Sequence, residues 1–287
     1  MAKSQGITFF NFGGGCIVRL LVALESLRKV YDGPVTLQLA KDDPHNQQAL
    51  NDLKRYADIQ WFDLARLAKR NLKSVIKPSL FKLSPYQTTL MLDGDLLIQK
   101  DPTELLTATA DHGFLVTQFS TWKCDGGRMR KRVDRCKDWL WPSDMRYLSG
   151  KWPAINIGVM GWDKSAPQVL ADWEWMTMKL AGQHIADEVA CQCVFHRHPH
   201  VVAADTWNSS CLYATQQPKD AAILHYHGNK HTAIDRPSSR LWVKALAELK
   251  AGGKIRHLDT YLKWPDKALL GLLKSRPNVL QEALKWD

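Results

Sequence analysis

Apolar and polar positions along the first hundred residues switch repeatedly between two periods. Residues 7–12 (Ile-Thr-Phe-Phe-Asn-Phe) form the nearly continuous apolar run of a buried strand, and residues 17–31 then carry their apolar side chains at helical spacing. Residues 34–39 predict a second strand, 45–56 a second helix and 58–62 a third, short strand. A helix is expected over 72–83, around Pro78, and residues 88–92 close the series as a fourth strand. Such alternation implies a parallel sheet of Rossmann type, whose ligands bind beyond the carboxyl ends of the strands. The second half is less regular. Strands are expected over 113–119, 154–161 and 221–226, and helices over 166–180 and 187–196. From Ser238 onward the pattern is helical, interrupted near Gly252-Gly253 and at Pro265 and Pro277. The simplest organisation is one mixed α/β domain over residues 1–237 with a helical C-terminal extension over 238–287 packed on it.

Chemistry enters where the fourth strand ends. Thr88-Thr89-Leu90-Met91-Leu92 runs into Asp93-Gly94-Asp95, two carboxylates separated by one glycine. Held near one point they repel, so either a cation sits between them or one takes up a proton. Hard oxygen ligands at a partly hydrated site suit Mn²⁺ or Mg²⁺, which take further ligands from a diphosphate. Asp-Gly is equally a hairpin signal, and a plain turn is the competing reading. Gly13-Gly14-Gly15 ahead of the first helix matches neither the dinucleotide-binding pattern nor a phosphate-binding loop with Gly-Lys-Ser/Thr, which excludes a P-loop kinase. A second cluster, His225-Tyr226-His227-Gly228-Asn229-Lys230, follows the strand expected at 221–226. Its imidazoles suit a metal shell, its glycine admits a phosphate close to the backbone, and its lysine neutralises one.

These motifs, in this order, resemble the GT-A glycosyltransferases, and most of all the family 8 group of glycogenin-like and galactosyltransferase-like enzymes. There one strand ends in Asp-x-Asp and a later one in His-x-x-Gly-x-x-Lys; here the lysine comes one residue early. Asn156 in Ala154-Ile155-Asn156-Ile157-Gly158-Val159 resembles the asparagine of the strand beside the donor sugar, and Asp187-Glu188 the acidic pair near the reacting carbon. Lys77, ahead of Pro78, stands where a basic residue approaches the nucleotide. The resemblance spans roughly residues 7–232 and implies a Rossmann-like mixed sheet flanked by helices. It further implies a metal held by Asp93, Asp95 and His225, and Asn156, Asp187 and Glu188 as the catalytic group. A UDP-sugar would be bound by Asn11, Phe12, Gly13, Lys77, Asp93, Gly94, Asn156, Gly158, Asp187, Gly228 and Lys230. Transfer of a hexose, glucose or galactose, with retention is the implied reaction, although related retaining enzymes often have Gln where this chain has Glu188. The acceptor is undefined: a saccharide, a protein or a lipid-linked molecule.

Composition adjusts this picture at one place. The 287 residues are 45% apolar and carry a formal charge of +10, and seven Lys or Arg against two Asp fall between Trp122 and Lys137. That segment implies an anionic partner, a loop shaping the acceptor side or a solvated helix face. The rival readings are a sugar nucleotidyltransferase, which would carry a basic signature loop after the first strand, and a metal-dependent nuclease or nucleic-acid-binding protein. No apolar run reaches the length of a membrane span, and the chain enters its first strand with no apolar leader, so a cytoplasmic protein is expected. Docking at a bilayer through the basic segment or the tail stays compatible with that. The six cysteines show no Cys-x-x-Cys pair and are expected to be reduced, partly buried thiols.

Overall fold

The structure is a computed structural model and describes residues 4–12, 17–67, 76–123, 127–149, 151–183, 186–211, 221–227, 237–253, 255, 258–262, 267 and 271. The alternating half comprises β1 (Gln5–Asn11), α1 (Ile17–Arg28), β2 (Val35–Ala40), α2 (Pro44–Leu53), β3 (Asp58–Phe62), α3 (Leu64–Leu67), α4 (Ile76–Leu83) and β4 (Thr88–Leu92). Next come β5 (Leu96–Ile98), α5 (Thr103–His112), β6 (Phe114–Lys123), α6 (Gly127–Cys136), α7 (Pro142–Met145) and β7 (Pro153–Asp163). The remainder is α8 (Pro167–Lys179), α9 (Ala186–Val194), β8 (Val201–Ala203), β9 (Ser209–Ser210), β10 (Ile223–His225), α10 (Pro237–Ala251) and α11 (Leu258–Tyr261).

Among the described residues a seven-stranded sheet runs in the order β3-β2-β1-β4-β7-β6-β8, and a three-stranded sheet in the order β5-β10-β9. The first four strands are mutually parallel, as their alternation with helices implies, whereas β7 is antiparallel to both β4 and β6. β2 and β4 are buried along their whole length because helices cover both faces of the sheet. Leu90 and Leu92 of β4 enter the apolar layer beneath α1, and Met91 enters the opposite layer beneath α8 and α9. α10 completes the first layer with Trp242, Val243, Leu246 and Leu249, and ends just before Gly252-Gly253, where Gly253 takes a positive φ of 61°. Pro265, Pro277 and most of the tail beyond α11 lie outside the described residues.

Several boundaries differ from the sequence pattern. α1 stops at Arg28 rather than Tyr31, and the Arg28 guanidinium donates to the carbonyls of Tyr56 (2.8 Å) and Gly33 (2.7 Å), closing the helix end. α2 starts at Pro44, with the Asp43 carboxylate accepting from the His45 amide at 3.0 Å as its cap. α5, β8 and the two-residue β9 are too short or too polar to show a period of their own. Cys136, Cys191, Cys193 and Cys211 are buried and form no disulfide. No described helix is long and apolar enough to cross a membrane.

Candidate active site

Asp93-Gly94-Asp95 is not a hairpin. β7 occupies the antiparallel position beside β4, and β5 leaves to pair with β10 in the second sheet. The segment is thus the corner at which the chain passes from one sheet to the other. The backbone does not need its glycine: Gly94 has no positive φ, and a Cβ there would meet Leu20 at an ordinary 3.5 Å.

Register decides what gathers at this corner. The β4–β7 ladder is extended by the Asp93 amide, which donates to the Gly158 carbonyl at 2.9 Å and so places Asp93 beside the middle of β7. In the small sheet His225 pairs with Leu96, and the Tyr226 amide donates to the Asp95 carbonyl at 3.0 Å. His225 Nε2 consequently lies 3.3 Å from Asp95 Oδ1. One ligand atom each from Asp93, Asp95 and His225 falls within 4.8 Å of the others. Two carboxylates and an imidazole, brought together from two sheets, fit a divalent cation of the Mn²⁺ or Mg²⁺ type.

The imidazole is fixed from behind. His225 Nδ1 is 2.8 Å from Asn208 Oδ1, and the Asn208 amide donates to Asn156 Oδ1 (3.0 Å) and to Thr117 Oγ1 (2.7 Å). That leaves Nε2 as the nitrogen facing Asp95, the arrangement in which a partner on one ring nitrogen orients the other. The Gly158 amide donates to Asn156 Oδ1 at 2.9 Å, and a Cβ on Gly158 would come within 2.4 Å of His225 Cε1. Gly158 is therefore the floor on which the imidazole rests. Gly158→Ala is expected to displace His225 and to cost about 2 kcal/mol of stability, read as a lowered Tm, together with weaker Mn²⁺ binding in calorimetry. Unchanged metal binding would show that His225 does not depend on this floor.

Lys77, from the first turn of α4, reaches Asp93 Oδ1 at 2.8 Å and the Ile157 carbonyl at 2.9 Å. Burial disfavours its charge, but Asp93 and then Asp187 outweigh that and raise its pKa above the ordinary lysine value. Its protons are thereby directed to Asp93 and the β7 backbone. The first turn of α9 supplies Asp187 and Glu188. Burial pushes the Asp187 carboxyl up, with Lys77 opposing, and one Asp187 oxygen accepts from the Glu188 amide at 3.1 Å. Glu188 is 4% exposed and bridges the Asn156 amide, 3.4 Å from its Oε2, and the Arg132 guanidinium on its Oε1. Burial pushes its carboxyl up to about 7 in spite of Arg132.

The structure thus joins Asp93, Asp95, His225, Lys77, Asn156, Gly158, Asp187 and Glu188 into one hydrogen-bonded and ion-paired region. Asn11 lies at the end of β1, where its side-chain amide donates to Asn46 Oδ1 at 2.6 Å; Phe12 stacks on Phe10, with centroids 5.7 Å apart. Gly13, Gly228 and Lys230 lie outside the described residues. Two participants escaped the sequence reading. Asn208 has no motif around it, since the Trp207-Asn208-Ser209 context is unremarked in any pattern. Arg132 did carry a signal: it shares a helical face with Met129, Val133 and Cys136, all buried, so it had to point inward.

No protein-family profile matches the chain, and no curated protein sequence does either. Solved structures do match. Mouse xyloside xylosyltransferase 1 in its apo form superposes with a TM-score of 0.54 at 14% identity, over 79% of this chain and 98% of that one. The galactosyltransferase LgtC, solved with donor and acceptor sugar analogs, matches at a TM-score of 0.56 and 14% identity, over 87% of this chain and 99% of its own. A glutamine-to-glutamate active-site mutant of LgtC matches equally well, at 0.56 and 15% identity over 86% and 95%. The chain has the GT-A fold of these glycosyltransferases.

Proposed function

We propose that this chain is a divalent-metal-dependent glycosyltransferase that transfers a hexose from a UDP-sugar to an acceptor hydroxyl, with retention. The observation that carries the reading is the convergence of Asp93, Asp95 and His225 at the corner between the two sheets, linked through Asn208 to the buried Asn156–Glu188 pair. The fold match favours sugar transfer over the nucleotidyltransferase and nuclease readings.

A glycosidic bond to a nucleoside diphosphate breaks with negative charge growing on the leaving group and positive charge on the sugar, so the site must favour that separation over the ground state. A bound cation would supply Lewis-acid stabilisation of the diphosphate. The protein's part is orientation. Lys77 locks Asp93, the Asn208 and Gly158 contacts lock His225, and the carboxylates hold their places without reorganising as charge develops. Asn156 presents its amide toward Glu188, and Asp187 lies at the same helix start, where it would order sugar hydroxyls by accepting hydrogen bonds. Glu188 in its ionised form would stabilise the positive sugar or take the acceptor proton. Asn11 and Phe12, at the end of β1, would border the nucleoside together with Gly13, which follows them in sequence, while Gly94, Gly228 and Lys230 would approach the phosphates.

The test is a panel of nucleotide sugars incubated with the protein and Mn²⁺, following release of the free nucleoside diphosphate and then transfer to candidate acceptors. Release from one UDP-sugar that stops on chelation supports the reading and names the donor. Absence of turnover together with absence of metal-dependent UDP binding in calorimetry would overturn it.

A further inference from the structure

Outside this site lie the charged outer face of α6 and, directly after it in the chain, a run of exposed apolar side chains. From Gly127 to Lys151 the sequence carries eight Lys or Arg against three Asp. α6 is two-faced: its inner face delivers Arg132 to Glu188, and its outer face exposes Lys131, Arg135 and Arg130, the last 3.3 Å from the Asp134 carboxylate, followed by Lys137. Directly after it Trp139, Trp141 and Met145 are 44%, 57% and 38% exposed, and Trp175 of α8, 50% exposed, stands beside Trp141 with ring centroids 5.8 Å apart. Large apolar side chains of this kind usually withdraw into a core.

Trp141 is held in place by a buried anchor. The Asp144 carboxylate, 1% exposed, accepts from the Trp141 amide (3.0 Å), from Arg197 (2.5 Å) and from Lys179 (3.4 Å). The Lys179 ammonium sits 3.7 Å above the Trp141 ring and 5.5 Å from that of Trp175. The segment is tied to α8 and to the chain after α9, with the indoles projecting from it.

We propose that this surface docks the protein on an anionic lipid bilayer, with Trp139, Trp141, Met145 and Trp175 entering the headgroup region and the α6 cations facing the phosphates. The mixture of exposed indoles and Lys or Arg is what an anionic interface selects, since indole suits a site that is apolar on one side and wet on the other. A sugar or nucleobase would need a flat free ring. The Trp141 face is taken by Lys179, the Trp141 and Trp175 planes are tilted by 49°, and Met145 offers no π face. A second copy of the chain would meet the same excess of positive charge and be repelled. Through α6 the docked bilayer abuts the element that reaches Glu188, which points to an acceptor presented from the membrane.

The test uses the full chain and flotation with phosphatidylcholine vesicles, with and without phosphatidylglycerol, across a salt series. The expected result is flotation with the anionic vesicles alone, weakened at least about tenfold by Arg130→Glu with Lys131→Glu and lost at high salt. Trp139→Ser with Trp175→Ser is expected to weaken it by a similar factor at each salt concentration at which the wild type floats, while leaving Tm and release of nucleoside diphosphate unchanged. Absence of flotation, or flotation indifferent to both variants, overturns the proposal. So does single-stranded oligonucleotide binding, or a dimer in sedimentation, that these substitutions abolish while vesicles are ignored. The vesicle arm needs no sugar donor, so its failure is separable from failure of the transferase reading.

Discussion

Asp95→Ala is expected to lower release of nucleoside diphosphate from the UDP-sugar by about 1,000-fold, close to 4 kcal/mol of transition-state stabilisation, with little change in Tm. The reason is the geometry of the corner between the sheets. Asp95 offers a side chain to His225 Nε2 at 3.3 Å, while its backbone carbonyl stays bound to the Tyr226 amide whatever the side chain is. Truncation therefore removes a ligand atom from the cluster without unpairing β5 from β10. Asp95→Asn, which keeps the shape and loses the charge, is expected to fall almost as far, since a neutral amide holds a divalent cation poorly. Excess Mn²⁺ should recover part of the activity in Asn but not in Ala. Retention of roughly a tenth of wild-type release by both variants would remove Asp95 from the metal shell.

Glu188→Gln is expected to cost about 100-fold in kcat/KM and to abolish an ascending pH limb centred near 7. Burial lifts the Glu188 carboxyl from an ordinary 4.5 to about 7, so between those pH values the folded protein binds more protons than the unfolded chain. Stability is therefore fully present below 4.5 and declines as pH rises through 7, by on the order of 3 kcal/mol in all. Activity that requires the carboxylate rises over the same interval. The two profiles should cross in the wild type, and both slopes should flatten in Glu188→Gln. Arg132→Met leaves the buried carboxylate without its guanidinium and is expected to move the activity limb above 7, besides destabilising the fold by about 3 kcal/mol. A loss of rate in Arg132→Met with the limb unmoved would mean that Arg132 merely packs α6 against α9.

How much of this was legible beforehand differs from element to element. β1, β2 and β4, with α1, α2 and α4 between them, announce themselves because each repeats one period over five or more residues and buries a face, whereas α3, four residues long with none buried, shows no period to read. β9, two residues long, has no period to read and is a strand only because β10 lies beside it. The basic segment was readable as charge, while its amphipathic order, Met129, Arg132, Val133 and Cys136 on one face, needed a helix to give it meaning. Asp93, Asp95 and His225 stood out because each ends an apolar strand, and strand ends are where this class of sheet binds ligands.

The amino-acid sequence by itself determined the α/β alternation, the parallel half of the sheet and the residue types gathered at the strand ends, since these follow from periodicity and propensity within a few residues. Tertiary structure alone decided that Asp-Gly-Asp is a corner between two sheets rather than a hairpin, because that depends on β7 claiming the edge of β4 and β10 claiming β5. It also decided the Lys77–Asp93, Asn208–His225 and Arg132–Glu188 pairs, whose members lie 16, 17 and 56 residues apart. Such contacts are set by strand register and helix packing, which sum many distant interactions and leave no local trace in the chain.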